Sequence, residues 1–242
     1  MTILVYGATG AIGGAVARRL SDIGHKLHLV GRNADRLVPL AEDLGAGFTV
    51  ADLADEDVFT RVTDQAAATE ALDGLVYAVG TINLKPLAKL GPDDFRRDFE
   101  MNALWAARAV QAAVPALRKC EGSPGVVLFS SIAVAQGFTA HASISMAKGA
   151  VEGLTRALAA ELAPKIRVNC IAPSLVRSRL SASLTENEQL AKAIAGLHPL
   201  PRIGEPEDVA PLAAMLAGPD GSWITGEVFP IDGGRGRVRT KG

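Results

Sequence analysis

The chain has 242 residues, of which 48% are hydrophobic and only 5% are aromatic. This length and composition predict one large domain with an aliphatic core, as in helices packed on a parallel sheet. The 25 basic and 26 acidic residues give a net charge of −1. That balance gives no electrostatic reason to expect nucleic acid or an anionic membrane as a partner.

The two cysteines, Cys120 and Cys170, are too few for a disulfide framework. We interpret them as small apolar residues in a reducing compartment. No signal peptide precedes the first apolar run, and no run is long enough to span a membrane without a charge, Gly or Pro. We therefore expect a cytoplasmic protein, with no membrane partner and no metal site.

Short apolar runs alternate with longer helical segments along almost the whole chain. The runs that predict strands are Ile3–Tyr6, Leu27–Val30, Gly47–Ala51, Leu75–Val79, Gly125–Phe129, Arg167–Ile171 and Glu227–Ile231. The longest helical segments are Asp94–Leu117 and Ser145–Leu162. This alternation predicts an α/β protein with a doubly wound, Rossmann-like parallel sheet of about seven strands and helices on both faces. No linker or repeat interrupts it, so residues 1–242 are expected to form a single dinucleotide-binding domain.

Two segments depart from the alternation. The stretch from Ser174 to Pro206 is too long for an ordinary connection, and such insertions at the carboxyl ends of strands usually cover a ligand. We expect a substrate-covering insertion at about residues 175–205. The basic residues from Arg235 to Lys241 predict a solvated terminus or a subunit contact.

A glycine-rich turn follows the first predicted strand and opens a helical segment, in the sequence Gly7-Ala8-Thr9-Gly10-Ala11-Ile12-Gly13-Gly14. Glycines allow the backbone to approach a pyrophosphate, and the amino terminus of the helix offers unpaired N–H groups and a positive dipole end. We expect a nicotinamide dinucleotide here, contacted by Gly7, Thr9, Gly10, Ile12 and Gly13.

The ends of the second and third strands indicate which dinucleotide binds. A site for NAD(H) typically has an acid after the second strand to accept the ribose 2′-hydroxyl. This chain has Arg32 there, and a guanidinium pairs well with the 2′-phosphate of NADP(H). NADP(H) is therefore favoured over NAD(H), with Arg32 as an ordinary surface charge the alternative. Asp52 and Leu53 follow the third strand, where the carboxylate could bind the adenine amino group or cap a helix.

With these residues in hand, the chain resembles the short-chain dehydrogenase/reductase family over nearly its whole length. The segments that carry the resemblance are Gly125–Ser131, Lys148–Arg156, Ile166–Asn169 with Ala172-Pro173, Arg202–Ala210, and Ile224–Gly226 through Asp232-Gly233-Gly234. The resemblance implies catalytic roles for Ser131 and Lys148, and for Asn102 as a helix-kinking, water-holding residue. It also implies cofactor contacts at Ala78, Gly80 and Lys148, with Pro173 and Val176 at the nicotinamide. Such proteins are usually homodimers or homotetramers, assembled through the two long helices.

One departure from the family pattern concerns the chemistry itself. The family uses Tyr-x-x-x-Lys, in which the lysine lowers the pKa of a tyrosine that donates a proton to the substrate carbonyl. Four residues before Lys148 this chain has Ile144, and the spacing from Ser131 also fits the tyrosine position. The family's general acid is therefore expected to be replaced by a hydrocarbon.

Three interpretations follow from this replacement. The first is an NADP(H)-dependent oxidoreductase on a small carbonyl or alcohol substrate, whose proton comes from His141 or from a water held by Lys148 and Ser131. For His141, the alternative is a helix-entry residue bonded to backbone or solvent. The second interpretation is a protein that binds NADP(H) as a sensor or regulatory subunit without turnover. The third and weakest is a non-redox lyase or isomerase on the same scaffold.

Overall fold

A computed structural model of the chain describes residues 2–68 and 70–240. At its centre is one seven-stranded parallel sheet. The strands are β1 Thr2–Tyr6, β2 Lys26–Gly31, β3 Gly47–Val50, β4 Leu72–Tyr77, β5 Gly125–Phe129, β6 Arg167–Pro173 and β7 Val228–Ile231. Their order across the sheet is β3-β2-β1-β4-β5-β6-β7, so the direction of winding reverses between β1 and β4. The doubly wound, Rossmann-like sheet predicted from the sequence is confirmed.

Strand positions agree with the prediction better than strand ends do. The fourth strand begins at Leu72 and ends at Tyr77, so the predicted Leu75–Val79 is displaced toward the carboxyl end. Its start includes Gly74, where an added side-chain carbon would come 2.9 Å from the carbonyl oxygens of both Gly125 and Ala217. A glycine that weakens the strand pattern therefore allows the close packing that the strand needs.

Helices cover both faces of the sheet. They are α1 Ala11–Asp22, α2 Ala34–Asp43, α3 Val58–Ala66, α4 Pro92–Phe99, α5 Trp105–Leu117, α6 Ala133–Gln136, α7 Ala142–Leu162, α8 Ala182–Thr185, α9 Glu188–Ala195 and α10 Pro206–Ala217. Apolar side chains of α1, α2 and α10 pack on one face, and those of α3, α5 and α7 pack on the other. The central strands are buried on both sides, which explains their continuous Val, Leu and Ile runs.

The predicted helix Asp94–Leu117 is interrupted. A π-helical turn over Glu100–Leu104 separates α4 from α5. Inside this turn the side-chain amide of Asn102 donates to the carbonyl oxygen of Asp98 at 2.8 Å, where an α-helix would use a backbone N–H. π turns inside helices frequently mark functional sites, and this one faces the loop that follows β4.

The insertion between β6 and α10 folds into a 3₁₀ turn over Arg179–Ser181 and the short helices α8 and α9. Within residues 2–68 and 70–240, no helix is both long and apolar enough to cross a lipid bilayer.

Candidate active site

A cavity of about 510 Å³ opens at the carboxyl ends of β4, β5 and β6. Ile12 of the glycine turn lines it, together with Ala78 and Gly80 after β4. Ser131 after β5 and Lys148 on α7 face the same space. The insertion contributes Leu180, Leu184 and Ile194. The structure therefore brings Ile12 of the predicted cofactor turn into one cavity with Ser131 and Lys148, and the insertion forms part of the cavity wall.

The glycine turn leaves no room for a side chain at Gly7 or at Gly13. Gly7 has φ +77°, and an added side-chain carbon there would come 2.7 Å from the carbonyl oxygen of Ala78. At Gly13 the same carbon would come 2.3 Å from the carbonyl oxygen of Gly7. These contacts press the first turn of α1 against the ends of β1 and β4.

The amino terminus of α1 is free to bind an anion. Its N-cap residue is Gly10, and no side chain caps the helix. Thr9, in the same turn, accepts a hydrogen bond through its carbonyl oxygen from Nη2 of Arg179 at 2.9 Å, so the insertion contacts this turn. Uncapped N–H groups, a positive dipole end and a nearby guanidinium fit the pyrophosphate of a dinucleotide.

The residues predicted to bind the adenosine half follow β2 and β3. Arg32 is exposed directly after β2, beside Asn33, which accepts a hydrogen bond from Arg36 N and caps α2. Leu53 is buried, while Asp52 is exposed and accepts a hydrogen bond from Ala54 N at 3.1 Å. Asp52 therefore caps a turn, and its carboxylate also remains open to solvent.

Lys148 is buried at the base of the cavity, and its Nζ donates to the carbonyl oxygen of Phe129 at 2.8 Å. Burial lowers the pKa of this ammonium to about 8, and electrostatic interactions with the nearby Cys170 and Asp98 oppose that shift. On the other side of the cavity, Pro173 ends β6, and Val176 follows it in the wall.

The chain as a whole is similar to known proteins. A family model described as enoyl-(acyl carrier protein) reductase matches residues 7–235. The chain is 34% identical to a tropinone reductase homolog of Arabidopsis thaliana, over 96% of this chain and 91% of the homolog. A solved short-chain type dehydrogenase/reductase from Mycobacterium ulcerans is 32% identical and superposes with a TM-score of 0.91, over 98% of this chain and 90% of that one. The chain belongs to the short-chain dehydrogenase/reductase family.

Family membership makes the chain an oxidoreductase of the short-chain type, and the family uses nicotinamide cofactors. The chain is also similar to a variant of actinorhodin polyketide ketoreductase solved with NADPH. The two are 26% identical, with a TM-score of 0.91 over 98% of this chain and 97% of that one. The glycine turn, the uncapped α1 terminus and Lys148 at the cavity base therefore fit a nicotinamide dinucleotide on geometric grounds.

Asn102, which the family resemblance places among the catalytic residues, does not line the cavity. It is buried, and its amide donates to Thr81 Oγ1 at 2.8 Å while its Oδ1 accepts from Thr81 N at 3.3 Å. A side-chain carbon on Gly80 would come 2.8 Å from Asn102 Oδ1 and 3.2 Å from Lys148 Nζ. Asn102 therefore holds the loop after β4 in a position that only glycine allows, next to the lysine.

A buried carboxylate, which the sequence did not single out, lies in the same network. Asp98 is 1% exposed and accepts hydrogen bonds from the hydroxyl of Ser143 at 2.6 Å, the hydroxyl of Thr81 at 2.8 Å and the amide of Asn83 at 3.2 Å. These bonds connect α4 to the first turn of α7. Asp98 therefore holds the start of α7 in place, and it also favours the charged form of Lys148 on the same helix.

Helix α7 begins at Ala142, earlier than the predicted Ser145, and His141 is its N-cap residue. The Nδ1 atom of His141 lies 2.7 Å from the carbonyl oxygen of Thr139. A carbonyl only accepts, so Nδ1 carries the proton and Nε2 is left available. His141 and Ile144 both line the cavity, and Ile144 is 6% exposed.

Neither tyrosine of the chain lies at this site. Tyr6 and Tyr77 are the only two in the sequence, and both are buried in the strands of the sheet. The Tyr77 hydroxyl donates to the carbonyl oxygen of Met101 at 2.9 Å. No phenol among the described residues therefore faces Lys148 in the cavity.

The carboxyl-terminal segment corrects one prediction. Arg235 was expected in a solvated tail or a subunit contact, yet its side chain lines the cavity and its guanidinium carbon lies 4.5 Å from the ring centre of Phe138. By contrast, Arg237 and Arg239 are exposed. Sequence patterning missed Arg235 because its position depends on a contact with a distant loop.

Proposed function

We propose that the protein is an NADP(H)-dependent oxidoreductase that interconverts a small carbonyl compound and its alcohol. The observation that carries the proposal is the single cavity joining the glycine turn to Ser131, Lys148 and His141. The similarity to reductases and dehydrogenases of the short-chain type supports the same reaction class.

The preference for NADP(H) over NAD(H) is inferred from the end of β2. The segment Gly31-Arg32-Asn33 contains no acid, and Arg32 and Arg36 are both exposed there. A 2′-phosphate between two guanidinium groups would be held by charge-assisted hydrogen bonds, whereas the ribose hydroxyl of NAD(H) would gain less. Replacing Arg32 by Asp should lower NADPH affinity by at least about tenfold and reduce the ratio of NADPH affinity to NADH affinity.

The bound cofactor would supply the hydride that reduces the carbonyl carbon. The Ser131 hydroxyl, which lines the cavity, would donate a hydrogen bond to the substrate oxygen. The Lys148 ammonium adds positive charge beside the oxygen on which negative charge develops. Its pKa of about 8 keeps the lysine charged at neutral pH.

The proton for that oxygen would need a source other than tyrosine, because Ile144 lies four residues before Lys148, where the family resemblance places a tyrosine. We propose His141 as the donor, with a water between Ser131 and Lys148 as the competing source. With Nδ1–H bonded to the carbonyl oxygen of Thr139, the second ring nitrogen Nε2 donates a proton when the ring is charged and accepts one when it is neutral. The same atom would therefore serve reduction and oxidation in turn.

The test is consumption of NADPH by the purified protein with a panel of ketones, aldehydes and quinones. We expect turnover by the wild type, a loss of about 100-fold or more in kcat for His141→Ala, and a gain for Ile144→Tyr. NADPH affinity, followed by its fluorescence, should be the same in all three proteins. If His141→Ala turns over normally, the water route replaces the histidine route.

Binding without turnover would point elsewhere. If the wild type binds NADPH tightly but reduces nothing until tyrosine is restored at position 144, the protein is a cofactor-binding subunit and the reductase proposal is wrong.

A further inference from the structure

One charged side chain in the cavity has no part in the chemistry proposed above. The titratable residues that line the cavity are Lys148, His141 and Arg235, and no Asp or Glu is among the lining residues that the structure describes. Lys148 and His141 already have roles. Arg235 leaves the cavity with a permanent positive charge and no counter-charge in its walls.

The segment that carries Arg235 is held in place by several hydrogen bonds. The carboxylate of Asp232 accepts from Gly234 N at 2.8 Å and from Gly236 N at 2.7 Å. Gly236 in turn accepts, through its carbonyl oxygen, from Nε2 of Gln136 at 2.6 Å. These bonds tie the segment to the end of α6, two residues before Phe138, so the guanidinium is positioned before any ligand arrives.

The guanidinium itself stacks on the Phe138 ring and forms no hydrogen bond or ion pair with any described residue. Asp232, the acid that favours its charge, already uses both carboxylate oxygens for backbone amides. Burial lowers the pKa of Arg235, which means that its charge has lost part of its hydration. A partly desolvated arginine with five free donors is suited to bind a planar anion.

The position of Arg235 argues against a role in holding the cofactor phosphates. It follows β7 at one edge of the sheet, whereas Arg32 follows β2 near the opposite edge. Its guanidinium lies over the Phe138 ring, and that ring packs edge-on against His141 with the ring centres 5.4 Å apart. Phe138 contacts both Arg235 and His141, so the arginine lies on the substrate side.

We propose that Arg235 binds a carboxylate of the substrate, and that the substrate is a carbonyl compound with an apolar body and one carboxylate. The apolar body matches Ile82, Leu84 and Ile132 in the wall, with Leu180 and Leu184 above them. One unpaired guanidinium matches one negative charge. This substrate class rests on the proposed oxidoreductase function, although the binding step can be tested separately from turnover.

The binding test uses protein loaded with NADP⁺, which cannot reduce a ketone, and a matched pair of ligands. Calorimetric titration compares 4-acetylbenzoate with its neutral analogue 4-acetylbenzamide. We expect the wild type to prefer the acid. Arg235→Gln should weaken binding of the acid by about 10- to 100-fold and leave the amide nearly unchanged. Arg235→Lys should restore part of the affinity.

Arg237→Gln is the matched control, because Arg237 has the same charge two residues later but is exposed and outside the cavity wall. It should bind both ligands as the wild type does. Equal binding of acid and amide by the wild type, or unchanged acid affinity in Arg235→Gln, would overturn the proposal. Thermal melts of each variant confirm that the fold is retained.

Turnover with NADPH then separates this inference from the proposed function. If the acid binds as expected but is not reduced, Arg235 is confirmed as the carboxylate site while the reductase proposal fails for this compound. If acid and amide are reduced with equal kcat/KM, the reductase proposal stands and the substrate class is wrong.

Discussion

The close packing of Gly13 against the Gly7 carbonyl predicts that the cofactor turn does not tolerate alanine at position 13. A methyl group there would come 2.3 Å from the carbonyl oxygen of Gly7, whereas ordinary contacts begin near 3.4 Å, so the two groups must separate by 3.4 − 2.3 = 1.1 Å. The carbonyl cannot simply rotate away, because it accepts a hydrogen bond from Gly10 N at 2.9 Å. The first turn of α1 must therefore move away from the strand ends.

Overpacking of this kind costs about 1–3 kcal/mol. At about 2–4 °C per kcal/mol for a protein of this size, Gly13→Ala should lower Tm by about 2–12 °C. Displacing the amino terminus of α1 should also weaken NADPH binding by at least about tenfold, because its backbone N–H groups would no longer point at the pyrophosphate. Differential scanning calorimetry and NADPH fluorescence titration measure the two effects on the same samples.

Gly14→Ala is the matched control in the next position of the helix. Its added carbon would come no closer than 3.1 Å to the carbonyl oxygen of Ala8, a few tenths of an ångström too near. Alanine also gains up to about 1 kcal/mol over glycine within a helix. We expect Tm and NADPH affinity close to the wild type. If Gly13→Ala behaves like Gly14→Ala in both assays, the close-packing argument for the cofactor turn is refuted.

Three further predictions concern charge and assembly. Since the pKa of Lys148 is lowered to about 8 from its ordinary 10.5, kcat for carbonyl reduction should fall as pH rises through about 8. Lys148→Met should remove a buried charge and make the protein more stable but inactive. Between about pH 8 and 10.5 the unfolded wild type binds more protons than the folded wild type, so the stability gained by Lys148→Met should shrink as pH rises through this window. A stability gain that does not change with pH would contradict the assigned shift. Arg167, 4% exposed, donates to the carbonyl oxygens of Ser123, Leu216, Gly218 and Gly221, so Arg167→Met should lower the free energy of unfolding by about 3 kcal/mol or more in urea titration; a loss under about 1 kcal/mol would show that these bonds contribute little. Sedimentation at micromolar concentration should find a dimer or tetramer, and a monomer would contradict assembly through α4–α5 and α7.

The sequence predicts the sheet well because the pattern is local. Each buried parallel strand is a short run of Val, Ile and Leu, and each helix repeats its apolar positions at helical spacing. The glycine turn was equally predictable, since a Gly-rich segment between a strand and a helix is typical of a dinucleotide-binding turn. The strand ends were harder to predict. Leu72 belongs to β4 because it pairs with β1, and Gly74 because it pairs with β5 and packs against the end of α10, and the local sequence pattern shows neither contact.

The remaining features depend on contacts between distant segments. The π turn at Asn102 could be expected only through resemblance, and its cause is a side-chain bond to Asp98 that composition does not show. Asp98 itself reads as one more acid on an amphipathic helix until Thr81, Asn83 and Ser143 are found around it. Arg235 looked like part of a basic tail for the same reason.

A single-turnover experiment tests whether this site transfers hydride without a tyrosine. Wild-type protein loaded with NADPH is mixed rapidly with an excess of a ketone that it binds, and the loss of NADPH absorbance is recorded. We expect a complete exponential loss of absorbance in the wild type that becomes at least about 100-fold slower in His141→Ala. If NADPH absorbance stays constant in the wild type although the ketone is shown to bind, this site does not transfer hydride without a tyrosine.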